Sequence, residues 1–283
     1  RCNTGKFLVM NCNLVVQFKG HSDAVISVGV SSDGNFMLTC AWEKTAALCD
    51  LNGNMLEVFK GNPTWVIAAF SPDGKSIVTG GGESISMYAT PLDHTIRLWE
   101  VRKGFREIKN TSPVMAVAFS PSMKLILTGS LNNTASLWDL NGKLTRELKG
   151  HTATVNSVAF SPDEKYIVTG SLDSTADLWD LQGNLVKRLK GNSGAVNTVS
   201  FSPDSKFILT ASEDGTARLW DIEGNVQQVF HQETGIRSAL FSPDGKYLLA
   251  ATNRWGGMAK LWDLHVKLIR AYFVITYSAM GLI

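Results

Sequence analysis

The chain has 283 residues, 44% of them hydrophobic and 18% charged, with 27 Lys and Arg against 25 Asp and Glu. A formal net charge of +2 with no basic cluster disfavours nucleic-acid binding, and the length is enough to bury a large core. No stretch reaches the roughly 18 apolar residues of a membrane helix, the run from Ala271 to Ile283 included. Cys2, Cys12, Cys40 and Cys49 show no two-residue spacing, so they read as free thiols of a reducing, cytoplasmic compartment. The sequence starts with Arg1, which reads as a processed chain or a fragment.

In chain order, Phe7 to Asn11 and Leu14 to Phe18 read as two strands, after which Gly20-His21 opens a series of similar segments. Val30 to Asn35 is a degenerate copy of a motif that recurs as Phe70-Ser71-Pro72-Asp73-Gly74-Lys75, Phe119 to Lys124, Phe160 to Lys165, Phe201 to Lys206 and Phe241 to Lys246. A second motif follows in phase: Leu48-Cys49-Asp50, then Leu98-Trp99-Glu100, Leu137-Trp138-Asp139, Leu178-Trp179-Asp180, Leu219-Trp220-Asp221 and Leu261-Trp262-Asp263. The acids are 50, 39, 41, 41 and 42 residues apart, which is the signature of a repeat array. Six repeats are predicted, over residues 20–60, 61–109, 110–149, 150–190, 191–230 and 231–272.

The fourth repeat shows the content of one unit. Its β-prone runs Val155 to Phe160, Tyr166 to Ser171, Thr175 to Trp179 and Leu185 to Lys190 are separated by Ser161-Pro162-Asp163, Leu172-Asp173-Ser174 and Gln182-Gly183-Asn184. Those separators are turn formers, and Pro162 and Gly183 leave no room for a helix of ordinary length. An all-β chain with four strands per repeat follows, and helical solenoids of similar period are disfavoured.

These two phased motifs resemble those of the WD-repeat β-propeller family, and the resemblance covers roughly Gly20 to Asp263. It implies a β-propeller of four-stranded blades, with residues 1–283 forming one domain. Six repeats are recognisable, and residues 1–19 with 273–283 are expected to form an incomplete seventh, closing blade, with a six-blade ring as the alternative. The resemblance further implies a buried polar ladder, matched in the fourth repeat by His151, Ser171, Asp173 and Trp179 and in the fifth by Ser212, Asp214 and Trp220, where Asn192 replaces the histidine. In such a ladder the carboxylate accepts from the imidazole, a hydroxyl links them and the indole N–H donates. The first repeat keeps His21 but carries Glu43 and Cys49, the third has Asn132 for the acid, and the sixth has His231 one position early.

Serine, histidine and aspartate that recur in phase argue against a catalytic triad, because one active site needs one constellation. The chain has no phosphate-binding loop, nucleophile elbow or metal-spaced histidine pair, so no catalytic residue, metal or cofactor is expected. The expected function is a non-catalytic scaffold that holds protein or peptide partners on its narrow face, where the resemblance places the turns between strands two and three and the entries to strand one. Three features map there. One is the insertion Glu83 to Pro91, with Tyr88 within it. Another is the apolar residue before the turn acid, at Trp42, Leu92, Leu131 and Leu172, with Glu213 the exception and Arg254-Trp255 in a widened sixth turn. Exposed aromatics beside arginine are common interface anchors. The third is Arg237, with Asn156 and Asn197 at equivalent positions, as a polar rim. Two alternatives differ in class: a sensor region of a larger signalling NTPase, suggested by regular turns such as Leu181-Gln182-Gly183-Asn184, and a propeller enzyme, for which no carboxylate or histidine cluster speaks.

Overall fold

The computed structural model describes residues 4–8, 14–23, 25–60, 66–81, 94–100, 103–252 and 258–273, and every regular element among them is a β-strand. A hairpin comes first, β1 (Thr4–Leu8) and β2 (Leu14–Lys19), forming a two-stranded sheet. Blade 1 follows with β3 (Val25–Val30), β4 (Phe36–Ala41), β5 (Thr45–Asp50) and β6 (Met55–Phe59). Blade 2 has β7 (Val66–Phe70), β8 (Ser76–Gly81), β9 (Thr95–Glu100) and β10 (Gly104–Lys109). Blade 3 is β11 (Val114–Phe119), β12 (Leu125–Ser130), β13 (Thr134–Asp139) and β14 (Leu144–Lys149). Blade 4 consists of β15 (Val155–Phe160), β16 (Tyr166–Ser171), β17 (Thr175–Asp180) and β18 (Leu185–Lys190). Blade 5 has β19 (Val196–Phe201), β20 (Phe207–Ser212), β21 (Thr216–Asp221) and β22 (Val226–His231). Blade 6 ends the series with β23 (Ile236–Phe241), β24 (Tyr247–Thr252), β25 (Met258–Asp263) and β26 (Leu268–Phe273).

Each blade is a four-stranded antiparallel sheet with its strands in chain order, the all-β architecture that the repeats predict. Of the segment 273–283 expected in a closing blade, only Phe273 is described, as the last residue of β26. The chain divides into two compact units, one built from residues up to 117 and one from residues 118–276.

Turn chemistry explains why the strands stop where they do. In blade 4 the Ser161 hydroxyl donates to Asp163 Oδ1 (2.7 Å) and accepts from the Tyr166 N–H (2.9 Å), which closes the β15–β16 turn. Ser31, Ser71, Ser202 and Ser242 make the same pair of bonds in other blades. Between β17 and β18, Asp180 Oδ1 accepts from the Asn184 N–H (2.8 Å), and Gly183 takes the left-handed backbone (φ 88°) that such a turn needs.

In blades 1 to 5 the second strand is buried on both faces after its first residue, so its burial does not alternate, and its threonine is buried with the apolar residues. Successive blades share their cores. In the second unit Val168, Leu178 and Leu189 of blade 4 pack with Val196, Ile208 and Trp220 of blade 5. Leu209, Leu219 and Phe230 of blade 5 pack in turn with Ile236, Leu248 and Trp262 of blade 6. The first unit repeats the arrangement, with Leu38, Leu48 and Phe59 of blade 1 against Val66, Ile77 and Trp99 of blade 2. Trp99, Trp220 and Trp262 thus join their blades to the preceding ones, and truncating a buried side chain of that size typically costs about 3–5 kcal/mol.

Candidate functional site

Blade 4 carries the fullest polar ladder. Asp173, in the β16–β17 turn, lies 3.0 Å from His151 Nδ1 and accepts from the Thr152 N–H (2.9 Å) and Thr175 Oγ1 (2.6 Å). Burial pushes the Asp173 carboxyl upward, but these hydrogen bonds and the imidazole outweigh it and hold its pKa at about 2. An ionised carboxylate only accepts, so Nδ1 of His151 carries the proton. Nε2 then faces Thr169 Oγ1 at 2.8 Å, and the same oxygen accepts from Trp179 Nε1–H at 2.9 Å. The linking hydroxyl is therefore Thr169. Ser171 instead donates to the Ala153 carbonyl (2.9 Å) and accepts from the Asp173 N–H (3.1 Å), which fixes the turn. Asp177, fully buried, adds a bidentate bond to Arg188 (2.8 and 2.6 Å) and stands 3.7 Å from His151 Nε2.

Thr169 and Ser171 have no solvent-accessible surface, so neither oxygen can meet a substrate. Among the described residues, no group of three His, Cys, Asp or Glu side chains is placed to hold a metal ion.

Other blades vary the theme around a threonine at the same register. Trp99 donates to Thr79 (2.9 Å), Trp138 to Thr128 (3.1 Å) and Trp220 to Thr210 (3.0 Å). In blade 1 His21 bridges Glu43 (2.6 Å) and Thr39 (2.8 Å), with Cys49 where an indole would be. Blade 5 has Asn192 at the histidine position of the ladder, and Arg218 takes over: its Nη1 donates to Asn192 Oδ1 (2.7 Å), Asp214 Oδ2 (3.0 Å) and Thr216 Oγ1 (2.5 Å). Ser212 there plays the part of Ser171, donating to the Gly194 carbonyl (2.9 Å). Ala250 stands at the threonine position of blade 6, and His231 is the exposed last residue of β22. Sequence reasoning passed over Thr39, Thr79, Thr128, Thr169 and Thr210, although they recur in phase, and it passed over Asp177, Arg188 and Arg218 as well.

The ladders of blades 1, 4 and 5 brace one end of their sheets, where the turn between the second and third strands meets the entry to the first. Within the second unit, the Leu172 N–H donates to the Thr154 carbonyl (3.0 Å) while Thr154 Oγ1 donates to the Leu131 carbonyl (3.4 Å). One residue thereby holds two apolar turn tips, Leu131 half-buried and Leu172 46% exposed. The Glu213 N–H donates to the Ala195 carbonyl (2.9 Å) in the same manner. Asn197 donates to Glu213 Oε1 (2.8 Å) and to the Ile236 carbonyl (2.9 Å), next to exposed Arg237.

Asn156, Asn197 and Arg237 share a structural reason for their place. Each lies at a register shift between the first and second strands, where the ladder skips it: Val155 pairs Ser171 and Ser157 pairs Gly170, with the same break at Asn197 and Arg237. Such a bulge re-aims a side chain. In the first unit, Trp42 is 52% exposed in the β4–β5 turn, directly before Glu43. Tyr88, Leu92, Arg254, Trp255 and the insertion Glu83 to Pro91 lie outside the described residues. Exposed apolar side chains also occur on outer strands, at Leu144, Leu185, Val186 and Val226.

Comparison with known proteins adds a family. The chain matches the family described as WD domain, G-beta repeat, over residues 12–50, 53–100, 105–139, 142–180, 183–221 and 224–263. It is 28% identical over 137 residues to the COMPASS component SWD3 of Saccharomyces cerevisiae, which covers 47% of this chain and 44% of that protein. Over 142 residues it is 31% identical to the guanine nucleotide-binding protein subunit beta of Arabidopsis thaliana, covering 46% of this chain and 35% of the relative. Subunit beta-5b of Danio rerio is 28% identical over 139 residues, 48% of this chain and 35% of its own length. The matched stretches span less than half the length of these curated relatives.

Proposed function

The chain belongs to the WD-repeat family, and from that premise we propose that it is a non-catalytic scaffold that binds protein or peptide partners through the turns between the second and third strands of its blades. The observation that carries this reading is the contrast at those turns between apolar exposed tips and a rigid, fully bonded base. Leu172 offers its side chain to solvent while its own N–H is fixed to Thr154 and the next residue, Asp173, is fixed to His151. A contact residue held this way loses little conformational entropy on binding, which favours affinity. Trp42 stands in the same relation to Glu43 and His21 in blade 1. The names of the relatives, a COMPASS component and two guanine nucleotide-binding protein subunits, describe parts of assemblies and agree with this reading. Buried, mutually satisfied ladder hydroxyls support the absence of catalysis.

Affinity capture with the intact protein, compared with a Trp42→Ala, Leu131→Ala, Leu172→Ala variant that retains wild-type unfolding behaviour, tests the proposal. Loss of the co-purifying proteins is the expected result; capture of an identical set at identical yield would contradict it.

A further inference from the structure

Blade 1 fills the place of its missing indole in a way that the other blades do not. Where blades 3 to 6 set a tryptophan opposite an aliphatic side chain of the outer strand, as Trp138 with Leu144, Trp179 with Leu185, Trp220 with Val226 and Trp262 with Leu268, blade 1 sets Cys49 opposite Met55. In blades 4 and 5 the indole edge lies against the glycine that precedes the ladder, so that a Cβ on Gly150 or Gly191 would come within 2.9 or 3.0 Å of Cη2 of Trp179 or Trp220. Gly20 is the equivalent glycine in blade 1, and there a Cβ would collide with the Met55 methyl. The thioether has taken the position of the indole edge. Unlike those indoles, Met55 is 37% exposed.

We propose that Met55 is an oxidation site through which a peroxide loosens the turn that carries Trp42. A sulfur lone pair attacks one peroxide oxygen, the O–O bond breaks, and the departing hydroxide takes a proton to leave as water, so that the thioether is oxidised by two electrons to a sulfoxide and the peroxide is reduced. Exposure selects the residue: among the other described methionines, Met37 is buried and Met115, Met123 and Met258 are half-buried. The sulfoxide is polar and needs hydration, so it leaves the packed position against Gly20. Gly20 leads directly into His21 and Ser22, which hold Glu43: His21 Nδ1 lies 2.6 Å from Oε1, the Ser22 N–H donates to Oε2 at 2.6 Å, and Ser22 Oγ bonds the same oxygen. Glu43 is the neighbour of Trp42, so displacement of residues 20–22 frees the tip of the turn. This inference concerns the order of the turn and stands whether or not a partner uses Trp42.

The test treats the purified full chain with hydrogen peroxide, follows each methionine by peptide mass spectrometry, and measures amide hydrogen exchange over residues 20–22 and 42–44. Met55 is expected to gain one oxygen about fivefold or more faster than Met37, and exchange over both segments rises in step with it. Met55→Leu, which installs the residue of blades 3 and 4, abolishes the rise, while Met55→Gln reproduces it without oxidant. Oxidation of Met55 no faster than that of the half-buried methionines overturns the proposal. So does unchanged exchange with Met55 fully oxidised, or an undiminished rise in Met55→Leu.

Discussion

Arg218 stands 3.0 Å from Asp214 in the ladder of blade 5, where Asn192 holds the histidine position, and it occupies the role of the imidazole. The side chains are 16% and 7% exposed, so the pair is largely desolvated. Removing the cation strands a carboxylate that burial would otherwise penalise. Arg218→Ala is therefore expected to destabilise the protein by about 2–4 kcal/mol, read as a shift of the denaturant midpoint, whereas Arg188→Ala strands the fully buried Asp177 and costs at least as much. A change below about 0.5 kcal/mol for both variants would remove the argument that these ion pairs brace their blades.

Acid should attack the ladders together. For Glu43, Asp173 and Asp214, burial raises the pKa, but the hydrogen bonds overcome it: Ser22, Thr45 and His21 act on Glu43, Thr175, Thr152 and His151 on Asp173, and Thr216, Ser193 and Arg218 on Asp214. All three settle at about 2. A carboxyl depressed in the folded state stabilises the fold fully above its unfolded value, near 4, and loses that contribution as pH falls through the folded value. Unfolding free energy measured against pH should be flat above pH ~5 and fall steeply between pH ~4 and ~2, with a shallower fall in Asp173→Asn.

Overpacking distinguishes two equivalent positions. A Cβ on Gly170 would lie 2.7 Å from Val199 Cγ1 and 2.8 Å from Val196 Cγ1 of the next blade, while blade 5 carries Ala211 at this register. Gly170→Ala is expected to cost about 1–3 kcal/mol in urea unfolding, and Ala211→Gly to cost less by opening space instead of closing it.

Both described cysteines should be silent in the native protein. Burial pushes the Cys40 thiol up to about 12, and burial together with the Asp50 charge raises Cys49. A thiolate is the reactive species, so mass spectrometry after iodoacetamide treatment should find Cys40 and Cys49 unmodified until the protein unfolds. Labelling of Cys40 at the rate of a free thiol under native conditions would contradict the packing of blade 1.

The strands were readable because turn chemistry punctuates them. Ser-Pro-Asp and Gln-Gly-Asn bound the fourth repeat so tightly that its predicted runs match β15, β16 and β18 to the residue, and β17 extends one residue further, to Asp180. Of the first hairpin strand, predicted at Phe7 to Asn11, Phe7 and Leu8 belong to β1, which begins earlier, at Thr4, and 9–11 lie outside the described residues. Within the ladder, the acid and the indole stood out by residue type. Thr169 did not, since threonine is an ordinary strand former and Ser171, two residues on, offered the same chemistry on the same face. Arg218 is hidden for a different reason: it stands on the third strand and replaces a histidine of the connection that precedes the first, so no repeat alignment points to it. Asn156, Asn197 and Arg237 stand out in the sequence as polar, but the bulge that turns them out of the ladder is a matter of pairing register, which residue identity does not disclose.

The central claim is that partners meet the turn tips and not the outer strands. Amide hydrogen exchange with and without a captured partner tests this most directly, because both surfaces expose apolar side chains and the measurement reads them separately. Protection gathered at residues 42–44, 131–133 and 172–174, with 144–149 and 185–190 exchanging as in the free protein, is the predicted result. Protection confined to the outer-strand segments, with the turn tips unchanged, would contradict the account.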